Sequence, residues 1–270
     1  MLAVVPAAWL LTLGLAADTT PDPRADPRAT PGRAPDCGAA FTAAMATVPG
    51  SHPDTVASAV RTAALDAAGA TRVRVEGAYG AVRVEGRPGL RAVRATAAVC
   101  TNVPRFLPGL QLAAERRGGD VVVVAQRPSG SEVAMAPVGF WMTLTVEVPA
   151  ELPVEVETVG DLEVRGVAGL RADDRSGRVR VADVAGDVWL RHHAGDVAVE
   201  DVRGGVTLEG EGVGDLTVAR VGHDVRVRRQ RAGTVRVDRV GGDFVVERAG
   251  RIDVRTNLVS GRVVVPEVTR

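Results

Sequence analysis

Lysine is absent from this 270-residue chain, in which all 33 basic side chains are arginine. That absence removes the Walker-type phosphate loop, Schiff-base chemistry and a lysine-activated serine. We read it as the mark of a GC-rich coding sequence rather than of a function. Aromatic residues make up only 3% of the chain, so any core is built from aliphatic side chains. Acidic and basic groups balance at 33 each, and a zero net charge gives no global field to hold a phosphate backbone or an anionic membrane. Nucleic acid is therefore not an expected partner. The four histidines, His52, His192, His193 and His223, stand nowhere near ligand spacing to Cys37, so neither zinc nor any other cofactor is expected. What remains, 46% hydrophobic and 24% charged, is the arithmetic of a globular protein.

The chain opens on an apolar run, Leu2 to Ala17, that ends in small residues and turns abruptly polar. It reads as a secretory signal peptide over 1–17, although its n-region carries no Arg or Lys. No later segment has the length needed to cross a bilayer. Pro21, Pro23, Pro27, Pro31 and Pro35 mark 18–36 as an extended linker. Cys37 lacks the apolar-small context of a lipid-attachment cysteine, and Cys100 is the only other cysteine. An even count in an exported chain points to a Cys37–Cys100 disulfide, worth about 4 kcal/mol for a loop of this length. Two buried free thiols or a metal-bound pair are the alternatives. The expected location is the periplasm or the cell surface.

From residue 160 the sequence repeats itself. Glycines recur through Gly160, Gly177, Gly195, Gly214, Gly233 and Gly250, each followed by a short alternating pattern such as Gly195-Asp196-Val197-Ala198-Val199. Long units carry a third apolar residue three positions after the second, as in Val179, Val181 and Val184, whereas short units carry two, as in Val188 and Leu190. Long units start at 162, 179, 197, 216 and 235, so the period is near 18–19 residues rather than nine. Alternation at period two puts one aliphatic face inward, and identical coils stacked about 4.8 Å apart bury it continuously. The expected fold is all-β: a β-solenoid with two strands per coil over 149–270, preceded by a less regular β-rich region over 37–148. A simple antiparallel meander would give the long and short units no reason to alternate. In the earlier region, Val73 and Val75, Val82 and Val84, 121–124 and 144–148 read as strands. The Ala-rich segment Thr55 to Ala68 reads as a short helix, with Pro53 near its first turn. Pro266 and the polar tail 267–270 read as a cap.

Val148-Pro149, then Leu152-Pro153-Val154-Glu155-Val156, the train of Gly-Asp-apolar-x-apolar units and the closing Gly261-Arg262-Val263-Val264-Val265-Pro266 resemble the bacterial exported β-strand-repeat family of candidate adhesins. The resemblance covers roughly 65–266. It implies an envelope β-solenoid without catalytic activity and, in some members, a link to envelope-stress signalling. Some exported members also carry an early cysteine and one before the central strands, which looks like the arrangement of Cys37 and Cys100. The family often repeats Ser-Gly-Asp, whereas here Ser precedes Gly only at Ser176 and Ser260 within the repeat. "Adhesin" is a fold-level label there, so function must come from sites.

Candidate sites each have a plain structural counterpart. The turn aspartates Asp161, Asp187, Asp196, Asp215, Asp224 and Asp243 suit calcium or carbohydrate, yet the GGxGxD nonapeptide is missing and turn capping is the better reading. Glu200-Asp201, Glu209 and Glu211 are the carboxylates that a β-helical glycan-active enzyme would need, but nothing singles out one pair. His192-His193 reads as turn surface. Arg226, Arg228, Arg229 and Arg231 form a basic patch, continued by Arg236 and Arg239, suited to anionic glycan or an acidic partner. Trp189, outward between Val188 and Leu190, suits sugar stacking. Together these describe a non-catalytic envelope module that binds a protein or a glycan. A glycan-active enzyme and an envelope-stress signalling partner are the alternatives.

Overall fold

The computed structural model describes residue 41 and residues 56–128, 139–210 and 212–266. The chain divides into two compact units, 1–33 and 34–270. The first unit, with the expected signal peptide and most of the linker, lies outside the described residues, as do Cys37, Glu211 and the tail 267–270.

The described residues form nineteen strands in two ladders. In chain order the first six are β1 (Ala57–Asp66), β2 (Arg72–Arg87), β3 (Ala92–Thr101), β4 (Gln111–Arg117), β5 (Asp120–Gln126) and β6 (Phe140–Pro149). There follow β7 (Val154–Val159), β8 (Leu162–Arg165), β9 (Leu170–Asp174), β10 (Val179–Val184), β11 (Val188–His192), β12 (Val197–Val202) and β13 (Val206–Glu209). The last are β14 (Leu216–Val221), β15 (Val225–Val227), β16 (Gln230–Val240), β17 (Phe244–Val246), β18 (Ala249–Val259) and β19 (Val263–Val264).

Even-numbered strands from β8 onward pair in parallel with one another, and so do odd-numbered strands from β7 onward. Two strands and two turns thus make one coil of a β-solenoid. Register is kept throughout: Leu162, Val179, Val197, Leu216, Val235 and Val254 fall in one column, at steps of 17 to 19 residues. Most inward columns are aliphatic because alternation at period two turns the valines and leucines of each strand to the interior. Val164, Val179, Val188, Leu190, Val218 and Val235 are buried to 1% exposure or less. Each contributes about 1.5–3 kcal/mol by leaving water.

The third apolar residue of each long unit has a backbone cause. Asp183, Asp201, Arg220, Arg239 and Leu258 all adopt φ of 53–56°. One left-handed residue between Val181 and Val184 resets the pleat, so the next valine points inward again. The other corner of each coil belongs to glycine. Gly160 and Gly195 have φ of 132° and 123°, and a Cβ on either would overlap the carbonyl oxygen of the glycine one coil earlier, Gly80 and Gly177. Gly214 and Gly233 continue this column in the same way.

The start of the stack does not follow chain order. β2 pairs in parallel with β7 and β8 on one side and with β5 and β6 on the other. The coil made by β2 is therefore sandwiched between a later coil and a still later one. β3, β1 and β4 then extend the two ladders in the antiparallel sense. The Ala-rich segment expected as a helix is strand β1. Its alternating exposure and its full pairing with β3 show why: cross-strand hydrogen bonds and a half-buried face override the helical preference of alanine. Arg61 Nε donates to Leu110 O at 3.0 Å, and Arg116 Nη2 donates to Asp66 O at 2.8 Å, so β1 is tied to β4 and the segment before it. That end of the stack is closed by antiparallel strands and side-chain bonds.

Gly195→Ala is expected to lower stability by at least about 2 kcal/mol through combined overlap and backbone strain. Gly69→Ala is the control, since Gly69 shares a positive φ of 71° but has open space around it, and should cost about 1 kcal/mol. Equal shifts in urea unfolding would show that axial stacking does not exclude the Cβ.

Candidate functional site

The turn aspartates act between coils. Asp161 Oδ1 accepts the backbone N–H of Arg178, Asp196 that of Asp215, and Asp215 that of Thr234, at 2.8–3.0 Å. At the opposite corner Asp187 accepts from Gly205, Asp224 from Asp243 and Asp243 from Arg262, each at 2.8 Å. Each carboxylate satisfies a turn donor one coil further on, which the sequence alone suggests only as a cap within its own turn. No cluster of three or more metal-ligating side chains occurs among the described residues. The Thr234 N–H, then Arg236, hold the Asp215 carboxyl below the usual carboxylate range, and Arg262 does so for Asp243 through its guanidinium and its N–H.

The carboxylates expected for glycan cleavage are not brought together. Glu200 and Asp201 lie at the left-handed corner, both bonded to Arg220, and Asp201 is held below its ordinary range chiefly by that arginine. Glu209 sits on the other ladder, 2.8 Å from Arg228. Glu211 lies outside the described residues.

His192 is not turn surface. It is 5% exposed, its Nδ1 lies 2.7 Å from Asp174 Oδ2 and its Nε2 lies 3.2 Å from Gly195 O. Both ring nitrogens face oxygen atoms, a carboxylate on one side and a backbone carbonyl on the other. Position 192 is the third inward position of its strand, in register with Asp174 and, one coil earlier, Thr158. In the short units of β9 and β11 the third inward position is polar, so each carries two apolar residues.

Trp189 stands on the outer face of the odd-numbered ladder, half-buried between Arg171 and Arg191. Their Cζ atoms lie 3.8 and 5.3 Å from the indole centroid. Arg226 shares its column two coils on, through Thr207. The next column alternates in sign, Asp173, Arg191, Glu209, Arg228 and Glu247, with Arg191 3.2 Å from Asp173. Arg226 is 3.7 Å from Glu247, Arg236 3.3 Å from Asp215 and Arg239 2.8 Å from Asp238. The structure thus places Trp189, Arg226 and Arg228 on one face, each with neighbours of its own.

Beside this face, along the glycine corner, run two shallow grooves that share Arg191 and His193. One, of about 460 Å³, is lined by Tyr79, Glu157, Asp173 and Arg175; the other, of about 360 Å³, by Glu209, Arg228, Arg229, Glu247 and Arg248. Among the described residues the exposed Arg175, His193 and Arg248 form no ion pair. Sequence reading found Arg229 but not Arg175 or Arg248, because they fall 73 positions apart and only the coil register places them along one corner.

No family model matches the chain, and no curated protein matches it. Three crystal structures are similar to it at low identity. A candidate cell adhesion protein of Clostridium sporogenes superposes with a TM-score of 0.37 at 12% identity, over 74% of this chain and 99% of that one. A candidate adhesin of Bacteroides fragilis gives 0.29 at 13%, over 76% and 96%. One of Parabacteroides merdae gives 0.29 at 9%, over 77% and 96%. The fold described above rests on strand register and not on these likenesses.

Two measurements test this arrangement. The stability that Asp215 and Asp243 contribute is present above the ordinary carboxylate pKa of about 3.9 and is lost as pH falls below it. Asp215→Asn with Asp243→Asn keeps the acceptor oxygens, so its urea midpoint should fall less between pH 7 and pH 3 than that of the unaltered chain. Equal losses would remove these groups from the acid response. His192→Leu strands the fully buried Asp174 and should cost about 3–5 kcal/mol. Adding Asp174→Leu should recover part of that loss in the same unfolding assay.

Proposed function

We propose that the chain is a non-catalytic, exported binding module of the cell envelope, and that its grooved glycine corner takes an anionic glycan. The observation that carries this reading is the pair of exposed arginines, Arg175 and Arg248, that form no ion pair among the described residues, beside grooves of about 460 and 360 Å³. In the adjoining outward column arginines alternate with carboxylates, whereas Arg175 and Arg248 have no such partner among the described residues, and a ligand carrying carboxylate or sulfate groups would supply one. Trp189 would then act less by stacking on sugar, since Arg171 already covers its ring, than as a rigid wall beside Arg191.

Export is part of the same reading, supported by the apolar run 2–17 and the proline-rich linker after it. Among the described residues no helix is long and apolar enough to cross a membrane. The Cys37–Cys100 disulfide belongs with it: Cys100 is fully buried, no described cysteine is free, and Phe41, four residues past Cys37, packs against Cys100. The absence of catalysis is supported by the scatter of Glu200, Asp201 and Glu209 over different ladders, each tied to an arginine.

The test is binding of the chain from residue 18, made in an oxidising compartment, to arrays of neutral and anionic glycans. Arg175→Ser with Arg248→Ser should weaken binding to anionic glycans by at least about tenfold, in line with the loss of charged hydrogen bonds. Binding that is absent, or that survives these changes, would sink the groove as a glycan site.

A further inference from the structure

The two ends of the stack differ. At the first, the outermost strands β1 and β4 run antiparallel to their single partners and are tied together by Arg61 and Arg116, whereas at the last coil β18 pairs in parallel only with β16 and β19 only with β17 among the described residues, with no such tie. Apolar side chains gather there. Leu258 is 67% exposed, Val263 48% and Val264 45%, and these are three of the five exposed large hydrophobic residues among those described. Leu258 also occupies the left-handed position that Asp and Arg hold in earlier coils. A leucine there carries backbone strain without the local side-chain bonding that Asp gains.

We infer that the free edge of β18 pairs antiparallel with β18 of a second copy of this chain, giving a tail-to-tail dimer. The backbone direction decides which residues face the edge. Val179 and Val197 donate their N–H groups to the following coil, and Val254 is their equivalent in β18. Val254, with Thr256 and Ile252 at period two, therefore presents N–H and C=O groups to the free side.

Charge and the length of paired strand then decide the register. With Val254 opposite Val254 on a two-fold axis, Asp253 lies opposite Arg255 of the second copy, and the same pair forms again across the axis. Shifting the axis by one residue to Asp253 sets aspartate against aspartate. Shifting it to Arg255 sets arginine against arginine. An axis at Ile252 also sets opposite charges together, Asp253 against Arg251, but it pairs only 249–255, whereas the Val254 axis keeps the outward-facing hydrogen-bonding groups together over the whole of β18, Ala249–Val259. Arg255 has a further reason to accept this neighbour, because on its ladder side it sits beside Arg236, a like charge. In the single chain its carboxylate contact is Asp253 of its own strand, 2.9 Å away and exposed. Pairing also covers the half-buried Ile252 and Val254, which no following coil shields.

The test is the solution mass of the chain from residue 18, by light scattering and sedimentation over a concentration series. The unaltered chain should approach twice the protomer mass as concentration rises. Asp253→Arg alone and Arg255→Asp alone each place like charges opposite one another, and each should raise the dissociation constant at least about tenfold. Both positions are exposed, so circular dichroism should show an unchanged fold. The two variants mixed in equal amounts should form a mixed dimer, because the two arginines of one variant then face the two aspartates of the other. A chain that stays monomeric throughout, a dimer indifferent to the single changes, or a mixture that does not associate would each overturn the inference. Glycan binding at the groove is read in a separate assay on a different face, so either proposal can fail without the other.

Discussion

Stacking strands in register about 4.8 Å apart is the constraint on which the rest of this molecule depends, because every residue then has its counterpart directly above and below it. Where the backbone turns between the two ladders, the carbonyl of one coil occupies the space that a Cβ of the next would need, and only glycine remains. Where the strand must be re-aimed inward, a left-handed residue recurs in every coil from β10 onward. Where a turn leaves an N–H without a partner, an aspartate one coil back supplies the oxygen. Each solution is found once and repeated, which is why the sequence repeats.

The same stacking governs charge. Side chains of like sign in adjacent coils repel across a strand spacing, and opposite signs attract by about 0.2–1 kcal/mol. The outward column obeys this from Asp173 through Arg191, Glu209 and Arg228 to Glu247, although one coil before it Glu157 stands beside Asp173 as a like charge. In the interior, Thr158, Asp174, His192 and Gln230 form a polar seam, buried to 5% exposure or less. Gly210 interrupts the seam, and a void of about 20 Å³ opens there between His192 and Gln230. That is room for about one water, which two polar walls would hold.

Much of this is legible before any coordinates. Valines two apart show a strand with one buried face, glycines at near-constant spacing show the corner, and the unequal units show that two strands complete a coil. The three-residue step from Val181 to Val184 is equally visible, but its cause, a left-handed aspartate, is not, since aspartate also serves in ordinary turns. His192 is misread from sequence because a polar residue after two apolar ones looks like the end of a strand; only its register with Asp174, eighteen residues earlier, shows a buried pair. The Ala-rich β1 is misread because alanine favours helix locally, and the β3 partner that decides otherwise lies some thirty residues away. The placement of β2 between strands that follow it has no local signature at all.

A periodic stack has no intrinsic length, so its ends are where the repeat must be broken, and the departures there carry information that the interior cannot. At one end the departure is topological: β1, β3 and β4 run antiparallel, and arginines tie them together. At the other, the ladder geometry persists while the side chains change. Isoleucine stands at position 252 where six earlier coils have glycine, threonine at 256 where valine packs inward, and leucine at 258 where the corner had been charged. Substitutions of this kind would weaken an interior coil, because each conflicts with a neighbour above. At the last described coil no such neighbour stands among the described residues. The residues found there are those that tolerate an open edge while still offering it hydrogen-bonding groups and apolar surface.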